Sequence, residues 1–484
     1  MGKKGFAISG IVYSMLVLFL ILIFSVLGLF GSRKLILDKL KNDVTNKINN
    51  ETPYQDYLYD DNSGANIPNL LDKMIPIKFD GNDMIYADIK EKWYDYNSKE
   101  WANVVVLKNS PSKTYSVGDT ILMDDVAMMY VWIPRYKYTI FNASGATISP
   151  LSINIQFELG LNSTGTVRCI EDECIDDTNG SIINGVSTYT HPAFTFGDKE
   201  LSGIWMGKFE MTGNSTTPTI LPNNDSMNYN VSTLFTTSLK YNTLYNLDAD
   251  THMIKNSEWG AMAYLTSSQY GRCSNGVCEE VRINNYYNSN KILTGCGASS
   301  GTVSNTTTCS IVYGESDSYP QSTTGNITGI FDTSGGTYEY VMGVYADSEE
   351  NPLSGRHNVY NSGFNGGFGC PTCVETDGSD STLLSGGDST ITELTTGINF
   401  PESNYYKVYK DRTTKTLNLG EALWETGKWY SDYNYFINSG TPWFFRGGDA
   451  LTGTGTGTFS YSGIYGNSLT SRSSRVVLVN IKWI

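Results

Sequence analysis

The amino-acid sequence predicts an α+β protein of three parts: a long N-terminal helix, a small β-rich unit, and a large domain with few helices and long loops. Three observations lead to this expectation. An uncharged apolar run fills residues 6–32, short stretches with alternating apolar residues follow it, and the rest of the 484-residue chain is rich in Gly (48) and Tyr (33). We place the helix at residues 1–48, a linker and the β-rich unit at 49–125, and the large domain at 126–484.

The apolar run of residues 6–32 is long enough to cross a bilayer as a helix, and no small-residue cleavage site follows it. Beyond the run, Leu37, Leu40, Val44 and Ile48 recur at helical spacing. We therefore expect a transmembrane helix that continues outward as an amphipathic stalk. The expected location is the cell membrane, with a single pass and the large domain outside the cell.

The residues KKGF at the start of this helix resemble the N-terminus of type IV prepilins, in which processing would fall between Gly5 and Phe6. The resemblance implies other pilin-like subunits as partners. Gly10 stands where those pilins carry a glutamate, and a plain N-terminal anchor is the alternative interpretation.

All eight cysteines lie between residues 169 and 373, in four close pairs within polar, loop-like sequence. An even number in this context predicts local disulfides formed in an oxidising compartment. The last pair also has the spacing of zinc ligands, which is the competing interpretation. The predicted disulfides are Cys169–Cys174, Cys273–Cys278, Cys296–Cys309 and Cys370–Cys373.

The composition argues against two classes of function. A formal net charge of −15 repels phosphate backbones, so nucleic acid is not expected as a partner. The three histidines, His191, His252 and His357, lie far apart in sequence and offer little for His-based metal or acid–base chemistry. Charged residues make up 17% of the chain and aromatic residues 13%, which is typical of extracellular β-rich proteins rather than of disordered tails.

The order of predicted elements can be followed along the chain. Short strands joined by Asp-Gly, Asn-Ser and Gly-Asp turns are expected between residues 75 and 125. Residues 127–140 predict the first strongly buried strand, interrupted at Pro134, and residues 191–213 contain another strand. A helix capped by Asn256 is expected over residues 256–271, and a second, short helix over residues 418–427.

Five segments in a fixed order resemble the formylglycine-generating-enzyme-like branch of the C-type lectin fold. They are SGIWMGKFEMT (202–212), NSEWGAMAYLT (256–266), TGNITGIFDTSGGTYEYVMG (324–343), FFRGGD (444–449) and SRVVLV (474–479). The resemblance implies a C-type-lectin-like domain over residues 126–484. The chain is also similar to bacterial surface proteins that join such a domain to a prepilin-like helix.

Enzymes of that family are oxidases that hold a metal with two cysteines near the C-terminus or with a His-rich iron site. This chain has no cysteine after Cys373. The resemblance therefore implies a non-catalytic, adhesin-like surface protein that binds a glycan or a protein on another surface. A minor pilin-like subunit, structural or at a tip, is the alternative, followed by an oxidase-type enzyme.

In phage and bacterial variable proteins of this fold, the ligand surface lies between the Arg-Gly-Gly motif and the terminal strand. The corresponding segment here, residues 449–472, is rich in Tyr, Ser, Thr and Asn, residue types that suit a binding surface. Solvated turns are the alternative. The ligand-binding residues implied by the resemblance are Asp449, Leu451, Thr454, Thr456, Ser460, Tyr461, Tyr465, Asn467, Leu469 and Arg472.

The residues just before this segment are expected to form scaffold. Gly447 and Gly448 permit backbone torsions closed to other residues, and the neighbouring Arg446 can brace a buried carboxylate such as Glu339 or Glu210. Arg475 in the terminal strand is assigned a structural role as well. No cofactor is expected, although residues 246–252 and Asp449 offer oxygen ligands for Ca²⁺.

Overall fold

The computed structural model describes residues 58–139, 150–165, 188–284, 292–296, 309–345, 362–364, 397–409, 419–438, 441–450 and 453–481. It also describes the strand backbones at 168–170, 173–175, 368–369 and 392–393. Contact clustering separates residues Met1–Leu58 from a unit formed by Tyr59–Ile484. All that follows concerns the second unit.

The described residues form mostly β-strands. The strands are β1 (Met74–Asp80), β2 (Asp83–Tyr86), β3 (Asn103–Leu107), β4 (Thr120–Ile121), β5 (Val126–Pro134), β6 (Tyr136–Thr139), β7 (Asn154–Phe157), β8 (Arg168–Ile170), β9 (Glu173–Ile175), β10 (Tyr189–Thr190), β11 (Thr195–Phe196), β12 (Lys199–Glu200), β13 (Gly203–Gly207), β14 (Thr212–Gly213), β15 (Pro218–Thr219), β16 (Asp250–Met253), β17 (Cys273–Ser274), β18 (Val277–Cys278), β19 (Tyr338–Tyr345), β20 (Phe368–Gly369), β21 (Thr392–Glu393), β22 (Lys407–Tyr409), β23 (Trp443–Gly447), β24 (Gly457–Ile464), β25 (Arg472–Ser474) and β26 (Val476–Val479). The α-helices are α1 (Val231–Tyr245) and α2 (Asn256–Thr266), and short 3-10 helices lie at Tyr96–Ser98, Met123–Asp125, Pro192–Phe194, Ser316–Gln321, Ser403–Tyr405, Trp429–Ser431 and Gly453–Gly455.

The larger sheet contains eight strands in the order β16-β26-β13-β5-β3-β1-β2-β4, and its neighbouring strands are antiparallel. Its centre is β5, whose nine residues VAMMYVWIP are all buried. A continuous apolar run of this kind is typical of a strand covered on both faces. Strand β5 ends at Pro134, which cannot donate a ladder hydrogen bond.

Strands from both sides of residue 125 belong to this one sheet. Strand β3 pairs with β5 from Asn103 opposite Val131 to Leu107 opposite Val126. The division that the sequence predicts between 49–125 and 126–484 therefore falls inside a single sheet. The pairing of β3 with β5 brings apolar residues of both segments into the same core.

A second sheet lies in the order β22-β19-β23-β24, with β25 also paired to β19. Strands β22 and β25 run parallel to β19, whereas β23 and β24 continue the sheet in antiparallel order. Glu339 of β19 lies opposite Arg446 of β23, which in turn lies opposite Tyr461 of β24. Of the residues that the sequence marks as functional, this sheet holds Glu339, Arg446, Gly447, Ser460, Tyr461 and Arg472.

The two α-helices begin at recognisable caps. The Asn230 side chain accepts from the backbone N–H of Thr233 at the start of α1. The N-cap of helix α2 is Lys255, one residue before the expected cap Asn256, and the Lys255 backbone N–H donates to Glu258 Oε2 at 2.7 Å. The expected helix at residues 418–427 is not present: its described residues 419–427 form bends and turns, and Ala422 has a φ of 51°.

The expected fold class needs correction. In place of an α+β arrangement led by a long helix, the described residues are mainly β-strands with two α-helices. Among these residues, no helix has the length and apolar character needed to cross a bilayer. The transmembrane and stalk helix predicted for 1–48, and the processing site between Gly5 and Phe6, lie outside the described residues. The predicted single-pass membrane location is therefore not supported.

Two of the predicted disulfides are present, Cys273–Cys278 and Cys296–Cys309. The first links the two strands of the β17–β18 hairpin, in which Cys273 lies opposite Cys278. The backbones of β8 and β9 place Cys169 opposite Cys174, while Cys370 and Cys373 lie outside the described residues.

Candidate functional site

The segment predicted to display a ligand surface is largely buried. Leu469 is half-buried and Thr454 is exposed, whereas Leu451 lies outside the described residues. The other predicted ligand-binding residues are buried: Asp449, Thr456, Ser460, Tyr461, Tyr465, Asn467 and Arg472. These seven side chains are therefore not displayed as a surface in this conformation, and their role in ligand binding stays a prediction.

The covering segment, residues 429–438, lies along β24 and contacts Ser460 and Tyr461 of the seven buried residues. Tyr461 donates its backbone N–H to the carbonyl of Tyr433 at 3.0 Å, and Tyr435 donates to the carbonyl of Tyr461 at 2.9 Å. The side chain of Asn434 donates to the carbonyl of Phe459 at 3.0 Å. The covering segment therefore adds a further ladder to the sheet and occupies the edge where the sequence analysis places a ligand.

The exposed tyrosines of this region belong to the covering segment. Tyr433 is 51% exposed and Tyr435 is 44% exposed, whereas Tyr461 beneath them is 3% exposed. Their backbones are fixed by the hydrogen bonds to β24. The arrangement presents two aromatic side chains to solvent on a backbone that is already ordered.

Arg446 does not form the expected ion pair. Its guanidinium donates to Asn256 Oδ1 at 3.3 Å and to the carbonyls of Glu421 and Ala422 at 3.2 and 2.9 Å. It also lies over the ring of Tyr461, 5.6 Å from the centroid. Burial lowers the pKa of Arg446 to about 10. The interactions identify Arg446 as a brace between α2, residues 421–422 and β24.

Glu339 pairs with Arg475 instead. Arg475 Nη2 and Nε donate to Glu339 Oε1 and Oε2 at 2.5 and 3.0 Å. Its remaining donors bind the carbonyls of Gly207 and Phe331, both at 2.8 Å. Burial alone would lower the pKa of Arg475, but the Glu339 carboxylate raises it. Arg475 therefore links β19 to β13 and to the chain before β19, a structural role.

Another buried cation belongs to the scaffold. Lys208 Nζ donates to Asn103 Oδ1 and to the carbonyls of Ile327 and Gly329, at 2.7, 2.7 and 2.8 Å. Three acceptors satisfy the three donors of an ammonium group. Lys208 thus fixes residues 327–329, whose neighbour Thr324 borders the pocket described next.

A surface pocket of about 200 Å³ lies beside the β17–β18 hairpin. We call it the hairpin pocket. Its charged residues are Lys99, Arg272 and Glu279, and Val277 is its one apolar side chain of appreciable size. The complete lining is Lys99, Gly271, Arg272, Ser274, Val277, Glu279 and Thr324.

The disulfide positions Lys99 in the hairpin pocket. Lys99 Nζ donates to the carbonyl of Cys273 at 3.0 Å and to Ser274 Oγ at 2.9 Å. Burial lowers the pKa of Lys99, and the charge of Arg272 lowers it further. The charge of Arg272 therefore disfavours the charged form of Lys99, an effect that a bound anion would oppose.

Arg272 is only partly satisfied. Its Nη2 donates to Glu279 Oε2 at 3.1 Å and to the carbonyl of Glu280 at 3.3 Å. The Nε–H is buried and has no hydrogen-bond partner among the described residues. The Arg272 side chain is 10% exposed, whereas the paired Glu279 side chain is 76% exposed. The nearly buried guanidinium is therefore held by the Glu280 carbonyl and by one carboxylate, that of the largely exposed Glu279.

A small inner cleft of about 10 Å³ shares Arg272 and Glu279 with the hairpin pocket. Tyr430, at the start of the covering segment, lines this cleft together with Glu280 and Phe459. Burial raises the pKa of Glu280 to about 7, and Glu280 Oε1 has no hydrogen-bond partner in the described part of the chain. The cleft thus lies between the hairpin pocket and the covering segment. It is lined by polar groups that lack hydrogen-bond partners in the described part of the chain.

The residues considered for calcium do not form a metal site in the described part of the chain. Asp250 accepts hydrogen bonds from His252 Nδ1 at 2.6 Å and from Tyr405 Oη at 2.7 Å. No group of three or more His, Cys, Asp or Glu side chains among the described residues is arranged to hold a metal ion. Asp449 is buried, and its carbonyl accepts from Thr456 Oγ1 at 3.1 Å.

No protein-family model matches this chain, and no curated protein matches it. Among solved structures, "Treponema denticola variable protein 1" aligns with 76% of this chain and 99% of its own length. The sequence identity is 11% and the TM-score is 0.25. At that TM-score the alignment carries no argument about fold or function.

The residues of the hairpin pocket and of the covering segment are not among those that the sequence analysis selects. A signal was nevertheless available in the run RCSNGVCEE, residues 272–280, in which Arg272, Glu279 and Glu280 flank a cysteine pair. A short disulfide loop brings its flanking residues together, so these charges had to lie near one another. Lys99 had no such signal, because its contact with Cys273 spans 174 residues.

Proposed function

We propose that this chain is a non-catalytic, adhesin-like binding module that recognises a glycan on another surface. The ligand contacts Tyr433 and Tyr435 of the covering segment and extends toward the hairpin pocket. The observation that carries the proposal is the exposure of these two tyrosines on a segment whose backbone is hydrogen-bonded to β24. Rigid tyrosines supply large amphipathic contact area at low cost in conformational entropy.

Two further observations support a binding role over a catalytic one. The chain has no cysteine after Cys373, where the oxidases that it resembles carry their metal ligands. The buried cations Arg446, Arg475 and Lys208 are held by carbonyl, amide or carboxylate oxygens of the core. These hydrogen bonds indicate that the three cations have a structural role in the scaffold.

Binding of the full chain to glycan and cell-surface arrays tests the proposal. The double variant Tyr433→Ser/Tyr435→Ser removes both exposed rings from a surface position, where substitution has little effect on folding. We expect its specific signal to fall at least tenfold. Tyr461→Phe is the matched control, because Tyr461 is buried, and its signal should equal that of the unmodified chain.

Each other result has a defined meaning. A specific signal that survives in the double variant rejects the covering segment as the ligand surface. A folded chain that binds no glycan, or binds only protein on the cell-surface array, rejects the proposed ligand class.

A further inference from the structure

The hairpin pocket already contains a carboxylate that behaves like a substitute ligand. Glu279 is largely exposed, yet its Oε2 lies 3.1 Å from Nη2 of the nearly buried Arg272. An ion pair with one exposed member contributes only about 0.2–1 kcal/mol. A carboxylate from outside can therefore replace Glu279 at small cost and bind the same guanidinium.

Arg272 has the donors that such a ligand needs. Only Nη2 is engaged by the described residues, which leaves the Nη1 protons without acceptors there, while the unpaired Nε–H is buried away from a ligand. Nη1 packs against Gly325, where an added Cβ would lie 2.2 Å away. The guanidinium is thus fixed in position by a close backbone approach and keeps unused donors, which favours bidentate recognition of a carboxylate.

Lys99 supplies a second cation in the same pocket. Two of its three ammonium donors are used, by the Cys273 carbonyl and by Ser274 Oγ. Both bonds hold the ammonium against the disulfide hairpin. One donor therefore stays available to an anion bound by Arg272.

The size and lining of the hairpin pocket limit the kind of ligand that can bring a carboxylate into it. A volume of about 200 Å³ is below the range of about 300–1,000 Å³ that is usual for drug-sized ligands. The pocket therefore takes a single residue. The hydroxyls of Ser274 and Thr324 and one valine line it, which suits a polyhydroxylated ring better than an aliphatic chain.

We propose that the hairpin pocket is a carboxylate subsite that binds one acidic sugar residue, of the uronic-acid type, through Arg272 and Lys99. This inference rests on the proposed function and names the ligand class at one part of its surface. Glu279 occupies the subsite in the free protein and is displaced on binding. Local positive charge at the subsite selects the acidic residue within a chain whose net charge is −15.

Saturation-transfer NMR on the full chain, with glucuronate and glucose as probes, tests the subsite. The two sugars differ by the carboxylate alone. We expect binding of glucuronate and at least tenfold weaker binding of glucose. Arg272→Gln should weaken glucuronate binding at least tenfold, whereas Lys73→Gln, which removes an exposed cation outside the pocket lining, should leave it unchanged.

The variant Glu279→Gln gives the sharpest result, because it removes the internal competitor and keeps the side-chain volume. We expect it to bind glucuronate at least threefold more tightly. Weaker binding in this variant, or unchanged binding in Arg272→Gln, overturns the proposal. A capped glutamate tripeptide that competes as well as glucuronate overturns the sugar assignment.

The two proposals fail in different ways. A glycan-array signal that depends on Tyr433 and Tyr435, without glucuronate binding, rejects the subsite and leaves the binding function. Glucuronate binding that depends on Arg272, with silent glycan arrays, supports the subsite chemistry and rejects the adhesin-like function. Thermal unfolding of each variant identifies any loss of binding that results from misfolding.

Discussion

The backbone N–H of Tyr461 donates to the carbonyl of Tyr433 at 3.0 Å, and this bond sets a buried tyrosine beside an exposed one. Tyr461 is 3% exposed and Tyr433 is 51% exposed. The exposed aromatic surface of this region is therefore provided by a segment that lies about thirty residues before the strand that the sequence analysis selects. The backbone hydrogen bonds to β24 hold the chain at Tyr433 and Tyr435 in place.

Asn434 is expected to hold the covering segment on β24. Its Nδ2 donates to the Phe459 carbonyl at 3.0 Å, and its Oδ1 accepts from the backbone of Lys428. Asn434→Ala removes both bonds, and we expect a loss of about 1–3 kcal/mol in the free energy of unfolding. Amide hydrogen exchange at Tyr461 should become faster in the variant. Unchanged exchange at Tyr461 would show that the segment is held by other contacts.

The Glu339–Arg475 pair should show strong coupling. Arg475→Met leaves Glu339 buried without its cation, and we expect a loss of about 3–5 kcal/mol. The double variant Glu339→Gln/Arg475→Met should lose less than the sum of the two single variants, because it removes the buried Glu339 charge that Arg475→Met leaves without its cation. Urea unfolding of the four proteins measures the coupling. Additive losses would contradict a direct pair.

His252 makes stability depend on pH. Burial alone would lower its pKa, but the carboxylates of Glu258 and Asp250 outweigh burial and raise it to about 9. Because the folded pKa lies above the unfolded value of about 6.5, this contribution is fully present below pH 6.5 and is lost as pH rises through 9. The difference amounts to about 3 kcal/mol.

Urea unfolding at pH 6 and pH 9.5 checks this prediction. His252→Gln should be clearly less stable than the unmodified chain at pH 6, and the gap should shrink at pH 9.5. A gap of the same size at both pH values would show that His252 contributes through packing alone, for example through its stacking on Phe196.

The sequence predicted the elements whose signals are local. The nine-residue apolar run of β5, the α2 segment and the hairpin disulfide Cys273–Cys278 all follow from neighbouring residues. Helix α1 has a similar local signal, because Val231, Leu234, Phe235 and Tyr241 share one buried face behind the cap Asn230.

The candidate site could not be predicted in the same way, because its contacts are long-range. By residue type Tyr461 suits a binding surface, and only its pairing with Tyr433 shows that it is covered. By sequence, Arg446 and Arg475 are equally plausible partners for Glu339. The structure shows that Arg475, just before β26, forms the ion pair. Residue type alone does not distinguish a displayed side chain from a buried one.

Removal of the hairpin disulfide should affect the hairpin pocket more than it affects stability. Cys273 and Cys278 are five residues apart, and a loop of that size stabilises the fold by only about 2 kcal/mol in the chain-entropy model. Because Lys99 Nζ is held by the Cys273 carbonyl at 3.0 Å, we expect Cys273→Ser/Cys278→Ser to weaken glucuronate binding at least threefold. The matched control, Cys296→Ser/Cys309→Ser, opens a loop of thirteen residues and should lose at least as much stability while it keeps glucuronate binding. Equal loss of binding in both variants would contradict a specific role for the hairpin, since global destabilisation would then explain the effect.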